Sequence, residues 1–288
     1  MSSIDVSSVH REPIIQRDLA ELYNRRAARL RALAEGHEQA DYLLLAARIA
    51  EKQAQLSMPV PTQSSVELLD AEEVAGSEQW LVHLDALISM FQEESSAEFA
   101  EALALLNTMS SEEKIDTALQ LLRWEFSEVP AVIAPLLWSA LSLEVSLVAR
   151  RTQLVVPEQE SSHCPVCGGL PVASTILTGK QQGLRYLHCT LCESDWHMVR
   201  SKCSSCNDSK QVEYLSLDSE EAAVRAESCN HCMGYLKVIS EEREQEVEVV
   251  ADDLATLLLD MAVVEEGFGR TGFNPFALPV AAEELPEV

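Results

Sequence analysis

No apolar run in the 288-residue chain approaches the roughly 18 residues of a membrane-spanning helix, so insertion into a bilayer is not expected. The N-terminal stretch MSSIDVSSVHREPIIQRDLAELY has no apolar signal core, and helix-like sequence follows Arg25-Arg26. Neither a secretory nor a twin-arginine signal is expected, and a reducing cytoplasm is the implied compartment. Positive charge is scarce: 21 Lys+Arg against 47 Asp+Glu leave a formal net charge of −26. Such a surface repels nucleic acid and anionic lipid, and it favours basic or neutral protein partners. Aromatics make up only 5%, while Ala, Leu and Glu abound, a helical leaning. There is no G-x-S-x-G, no glycine-rich phosphate loop and no H-E-x-x-H, so no catalytic residue is assigned. What is present, 47% hydrophobic and 24% charged residues, suits a soluble chain with a sizeable core.

Cysteine is missing from both ends, all eight lying between Cys164 and Cys232, and this divides the chain. The fold class expected is multi-domain α+β: an α-helical N-terminal bundle, two tandem rubredoxin-like or zinc-ribbon modules, and a C-terminal helix. The boundaries expected are 1–158, 159–201, 202–240 and 241–288. In the first part, with only Gly36 and Gly76 as glycines, apolar stripes run through Leu19, Leu22, Leu30 and Leu33, and through Trp80, Leu84, Leu87, Ile88 and Phe91. Ser110 and Glu113 form a capping-box pattern, and Pro130 and Pro135 precede a last helix from Leu136 to about Arg151. Roughly six helices are expected, with Ser57–Ser65 as a linker. Between about 160 and 240, Leu170–Leu177, Leu184–His188 and Val212–Leu217 read as short strands, the first two joined by a turn over Thr178–Gly183. About Glu246 to Glu266 reads as one helix with Val250, Leu254, Leu257, Leu258 and Met261 on its apolar face, stopped by Gly267.

The cysteines form four Cys-x-x-Cys pairs: Cys164/Cys167, Cys189/Cys192, Cys203/Cys206 and Cys229/Cys232. Gaps of 21, 10 and 22 residues separate the pairs, so one unit is used twice. Each unit matches the spacing of a metal ribbon, with a slightly long hairpin between its pairs. Two intervening residues let a tight turn aim both sulfurs at one ion about 2.3 Å away. The residue after the second cysteine needs a positive φ, which suits Gly168 and Asn207; Glu193 and Met233 are less obvious there. Sequential pairing gives two sites, Cys164, Cys167, Cys189, Cys192 and Cys203, Cys206, Cys229, Cys232, because a local hairpin closes with less loop entropy than an interleaved arrangement. The alternative, disulfides or buried free thiols, needs an oxidising compartment for its bridges. Four thiolates suit zinc and iron alike, and spacing leaves that choice open. His163, His188, His197 and His231 lie nearby, but each site already has four sulfurs, so surrounding or surface roles are expected. Tyr186 and Trp196 are expected to pack over the metal turns.

The runs around the cysteines carry more than a spacing. HCPVCGGLPVAS (163–174), GLRYLHCTLCE (183–193), WHMVR (196–200), AESC (226–229), ADDLA (251–255) and GFGRTGFNPF (267–276) resemble the formate dehydrogenase accessory proteins, the FdhE family. The resemblance is dense from about 163 to 276 and looser before it. It departs at Met233, where the family pattern has Gly. It implies a non-enzymatic cytoplasmic maturation factor that binds the catalytic subunit of formate dehydrogenase before export. It also implies two metal ions, iron of rubredoxin type in preference to zinc. It assigns no partner-binding residues and no oligomeric state. Residues 163–239 hold seven Lys+Arg and eight Asp+Glu, so the rest holds 14 against 39 and carries nearly all the acid. A nucleic-acid-binding ribbon is therefore disfavoured for want of phosphate-neutralising charge. An iron oxidoreductase acting on the client is the other alternative.

Overall fold

The structure is a computed structural model that describes residues 11–58, 64–66, 69–94, 99–154 and 160–277. Its helical part contains α1 (Leu19–Ala34), α2 (Ala40–Leu56), α3 (Ala71–Ala75), α4 (Leu81–Glu93), α5 (Ala100–Thr108), α6 (Ser111–Leu122) and α7 (Ala134–Arg151). Seven helices thus stand among the described residues of this part, where about six were expected. The apolar stripes lie inside: Leu19, Leu22 and Leu30 are buried, as are Trp80, Leu84, Leu87, Ile88 and Phe91. α6 opens on the expected capping box, Ser110 Oγ accepting from Glu113 N–H while the Glu113 carboxylate accepts from Ser110 N–H. α7 is buried on every side from Ala134 to Leu147, as befits a helix apolar all round. Of the expected linker over Ser57–Ser65, residues 59–63 lie outside the described ones. Ser64 and Ser65 belong to a strand, β2 (Ser64–Val66), parallel to β3 (Thr152–Leu154).

The metal-ribbon units build one sheet. β1 (Ile14–Gln16), from a stretch expected to be helical, joins β4 (Pro171–Ile176), β5 (Arg185–Cys189), β6 (Ser194–His197), β7 (Val212–Leu215), β8 (Val224–Cys229) and β9 (Gly234–Ser240) in the order β1-β6-β5-β4-β9-β8-β7. The internal repeat is visible in the register: β4-β5-β6 and β7-β8-β9 are each antiparallel meanders. They meet where the first strand of one lies parallel to the last strand of the other, Ser174 opposite Val238. β10 (Gly269–Arg270) adds in parallel to the start of β9.

The C-terminal segment also departs from expectation. The single C-terminal helix is two, α8 (Val249–Leu254) and α9 (Leu257–Glu265). Lys237, buried on β9, donates to the carbonyls of Asp253 and Thr256, and the Thr256 hydroxyl bonds the carbonyl of Asp252, so local acceptors are diverted from a continuous ladder. The break re-aims α9. Val250 and Leu254 are buried, but Leu258 and Met261 are 62% and 60% exposed, and Leu259 and Val263 face the sheet instead. Gly267, at φ +91°, ends α9 as expected.

Candidate metal centres

Each Cys-x-x-Cys pair sits on a turn whose next residue adopts the left-handed conformation: Gly168 (φ 75°), Glu193 (53°), Asn207 (62°) and Met233 (56°). Closing bonds fix three of these turns, Gly168 N–H to Cys164 O at 2.9 Å, Asn207 N–H to Cys203 O at 3.0 Å and Met233 N–H to Cys229 O at 2.9 Å. Backbone N–H groups inside the turns point at sulfur, from Val166 to Cys164, Leu191 to Cys189 and Ser205 to Cys203, each at 3.4 Å.

The eight sulfurs converge in the two sequential sets. In each set all four Sγ atoms lie within 4.8 Å of one another. Cys164 to Cys192 and Cys167 to Cys189 are 3.5 Å apart; Cys203 to Cys232 is 3.8 Å and Cys206 to Cys229 is 3.7 Å. A disulfide requires about 2.05 Å, and all eight are free thiols. A tetrahedral ion with metal–sulfur bonds of about 2.3 Å places its sulfurs about 3.8 Å apart, so both sets fit one. Burial pushes the Cys164 and Cys189 thiols well up and that of Cys203 up to about 12. A bound cation is what deprotonates such thiols and lets four thiolates share a site.

The first tetrad is roofed by the helical part. Trp138 Nε1 on α7 donates to the carbonyl of Thr190 (3.0 Å), Ser146 Oγ to that of Leu191 (3.4 Å) and Arg150 to that of Cys192 (3.1 Å). Leu69 N–H reaches the carbonyl of Val166 at 2.8 Å. The first tetrad's four cysteines therefore belong to the main hydrophobic core.

Glu193, unremarkable as a turn residue, is the centre of a buried charge cluster. Arg26 of α1, 2% exposed, donates to both its oxygens (2.9 and 2.7 Å) and to Glu248 (3.1 Å). His188 lies between Glu193 (2.7 Å) and Asp195 (2.6 Å), which Arg17 also reaches. Burial alone would lower the His188 pKa, but the hydrogen bonds to the two carboxylates lift it to about 9. Glu193 is held at about 2 against its own burial by the charge and hydrogen bonds of Arg26 and His188. The sequence did hold a signal: Arg26 falls four residues after Leu22 and four before Leu30, on the buried stripe of α1. Of the other histidines, His163 and His231 are exposed and His197 packs edge-on against Tyr186, centroids 5.6 Å apart. Tyr186 and Trp196 are buried, as expected of packing residues.

The later motif runs meet at a second cluster. Asp253, fully buried, accepts from Arg270 through both oxygens (2.7 and 2.8 Å) and from Asn274 (2.8 Å), with Lys237 3.5 Å away. Its neighbour Asp252 takes Arg29 of α1 bidentately. A Cβ at Gly272 would stand 2.5 Å from Leu236 Cδ1 and 2.6 Å from Pro171 O, so the strand-to-tail crossing requires glycine.

Helices roofing one of two tandem four-cysteine ribbons in a shared sheet define an α+β protein of the metal-ribbon class. Models of the FdhE N-terminal, central and C-terminal domains match residues 11–155, 163–200 and 201–277. The chain belongs to the FdhE family. It is 41% identical over 289 residues to a "Protein FdhE homolog" of Pectobacterium carotovorum subsp. carotovorum (strain PC1), covering 96% of this chain and 93% of that one. It is 40% identical over 287 residues to "Protein FdhE" of Escherichia coli O1:K1 / APEC, covering 94% and 93%. The crystal structure of the FdhE protein from Pseudomonas aeruginosa superposes with a TM-score of 0.84 at 35% identity, covering 94% of this chain and all of that one.

Proposed function

We propose that this protein is an accessory factor for formate dehydrogenase that binds the enzyme's catalytic subunit in the cytoplasm and carries one metal ion in each cysteine tetrad. The observation that carries the reading is the joint one: the FdhE likeness runs through nearly the whole chain, and both tetrads are shaped for an ion. The factor acts by binding, without a reaction of its own. Iron of rubredoxin type is the ion favoured. It would supply a one-electron centre, whereas zinc would supply a crosslink alone. Among the described residues no helix is long and apolar enough to cross a membrane, which accords with a factor that meets its client off the bilayer. The test is anaerobic co-purification of a formate dehydrogenase catalytic subunit with the tagged chain, alongside elemental analysis and a visible spectrum. Retention of the subunit, lost in Cys203→Ser/Cys206→Ser, is expected. A colourless zinc protein would end the iron reading, and no association in the absence of oxygen would end the accessory reading.

A further inference from the structure

The two tetrads share a ligand set and a fold unit but not an environment. Cys164, Cys167, Cys189 and Cys192 are all buried, inside the main core. In the second tetrad Cys203 and Cys229 are buried, Cys206 is half-buried and Cys232 is exposed. Its flanks are open as well, with His231 and Met233 exposed on either side of Cys232. The hydrogen bonds of its turns run within the module or to β10: Cys203 N–H to Asp208 O, Asn230 N–H to Gln211 O and Gly269 N–H to Met233 O. The first tetrad's turns are instead tied to α7 and to the segment before α3.

Ligand exchange at a four-thiolate ion starts when an incoming donor reaches the metal as one sulfur departs. A sulfur sealed under a helix leaves no approach and no room to swing away. A sulfur at the surface provides both. We infer that the two centres differ in kind: the first is a permanent crosslink of the fold, and the second is an exchangeable centre that opens at Cys232. The inference rests on the reading that each tetrad holds an ion. In the exchange, a bond forms between the ion and a nitrogen or sulfur donor of an incoming chelator or small thiol, and the bond to Cys232 Sγ breaks. The departing thiolate takes its proton from solvent, and the other three sulfurs follow. The ion's oxidation state does not change.

The test uses the full chain loaded with zinc. Elemental analysis first establishes the ion count, and uptake of fewer than two ions sinks the metal reading and this inference with it. Zinc transfer to a chromogenic pyridylazo chelator is then followed in time, with limited N-ethylmaleimide labelling mapped by mass spectrometry. One equivalent is expected to leave at least about tenfold faster than the other, a barrier difference of about 1.4 kcal/mol. Cys232 is expected to be alkylated first. Cys232→Ser is expected to abolish the fast phase and leave one slowly released ion, with the helical circular dichroism unchanged. Release of both ions in a single phase, or first labelling at any of Cys164, Cys167, Cys189 and Cys192, overturns the inference.

Discussion

Four residues in the left-handed region do the same backbone work with four different side chains. Gly168 and Asn207 are the permissive choices that the spacing of the pairs called for. Met233 and Glu193 are not, and they differ in why they persist. Met233 is 46% exposed, and its side chain stabilises little. Met233→Gly removes a left-handed penalty of about 1 kcal/mol and is expected to raise the denaturation midpoint of the zinc-loaded protein slightly. Glu193→Gly relieves the same backbone yet leaves Arg26 and His188 with one carboxylate fewer in a buried cluster, so a loss of about 3–5 kcal/mol is expected. Equal effects of the two substitutions in denaturant titrations would show that the Glu193 side chain does not anchor the first metal turn. At this scale the grouping of the eight sulfurs into two sequential sets was legible, because a local hairpin closes with less loop entropy than an interleaved arrangement. The Arg26–Glu193–His188 cluster was not, since its members come from residues 26, 188 and 193 and only the fold brings them together.

At the scale of elements, the long amphipathic helices and the strands with alternating apolar residues were read correctly, and their errors have local causes. β9 (GYLKVIS) carries Lys237 on a strand buried throughout, and β8 (VRAESC) carries Arg225 and Glu227. β9 therefore breaks the alternation by which a half-buried strand is recognised, whereas Val224-Arg225-Ala226-Glu227 in β8 keeps it. The pairing of Lys237 with Asp253 and Asp260, and of Arg185 with Glu227, is what admits Lys237 and Glu227, while the half-buried Arg225 lies over the Tyr214 ring. The same lysine splits α8 from α9, an event invisible to periodicity because α9 is apolar on nearly every side. Where the signal was purely local it held. The Ser110/Glu113 cap is such a case, and Ser110→Ala is expected to cost about 1 kcal/mol in chemical denaturation. A loss below the resolution of that measurement would mean that α6 is held by packing alone.

Across the molecule, the burial of one tetrad within the main core and the other outside it sets how metal and fold are coupled. Cys164→Ser is expected to cost upward of about 4 kcal/mol and to lower the midpoint at which the helical circular dichroism melts, because the four sulfurs there are part of the core and an ion held by them would be too. Cys203→Ser is expected to leave that midpoint nearly unmoved. The net charge of −26 acts on the same scale. Raising ionic strength from about 10 to about 150 mM shortens the screening length from about 30 to about 8 Å. The helical melt is expected to shift upward, and a downward shift would mean that paired charges outweigh self-repulsion. The parallel seam of β4 on β9 has a further consequence for how the chain comes into being. Until Ser240 has left the ribosome, the inner edge of the first ribbon has no strand to cover it, although α7 and β1, made earlier, can already cover its roof and its outer edge. Neither ribbon is a finished object during synthesis, and the order of translation makes the second one the lock on the first.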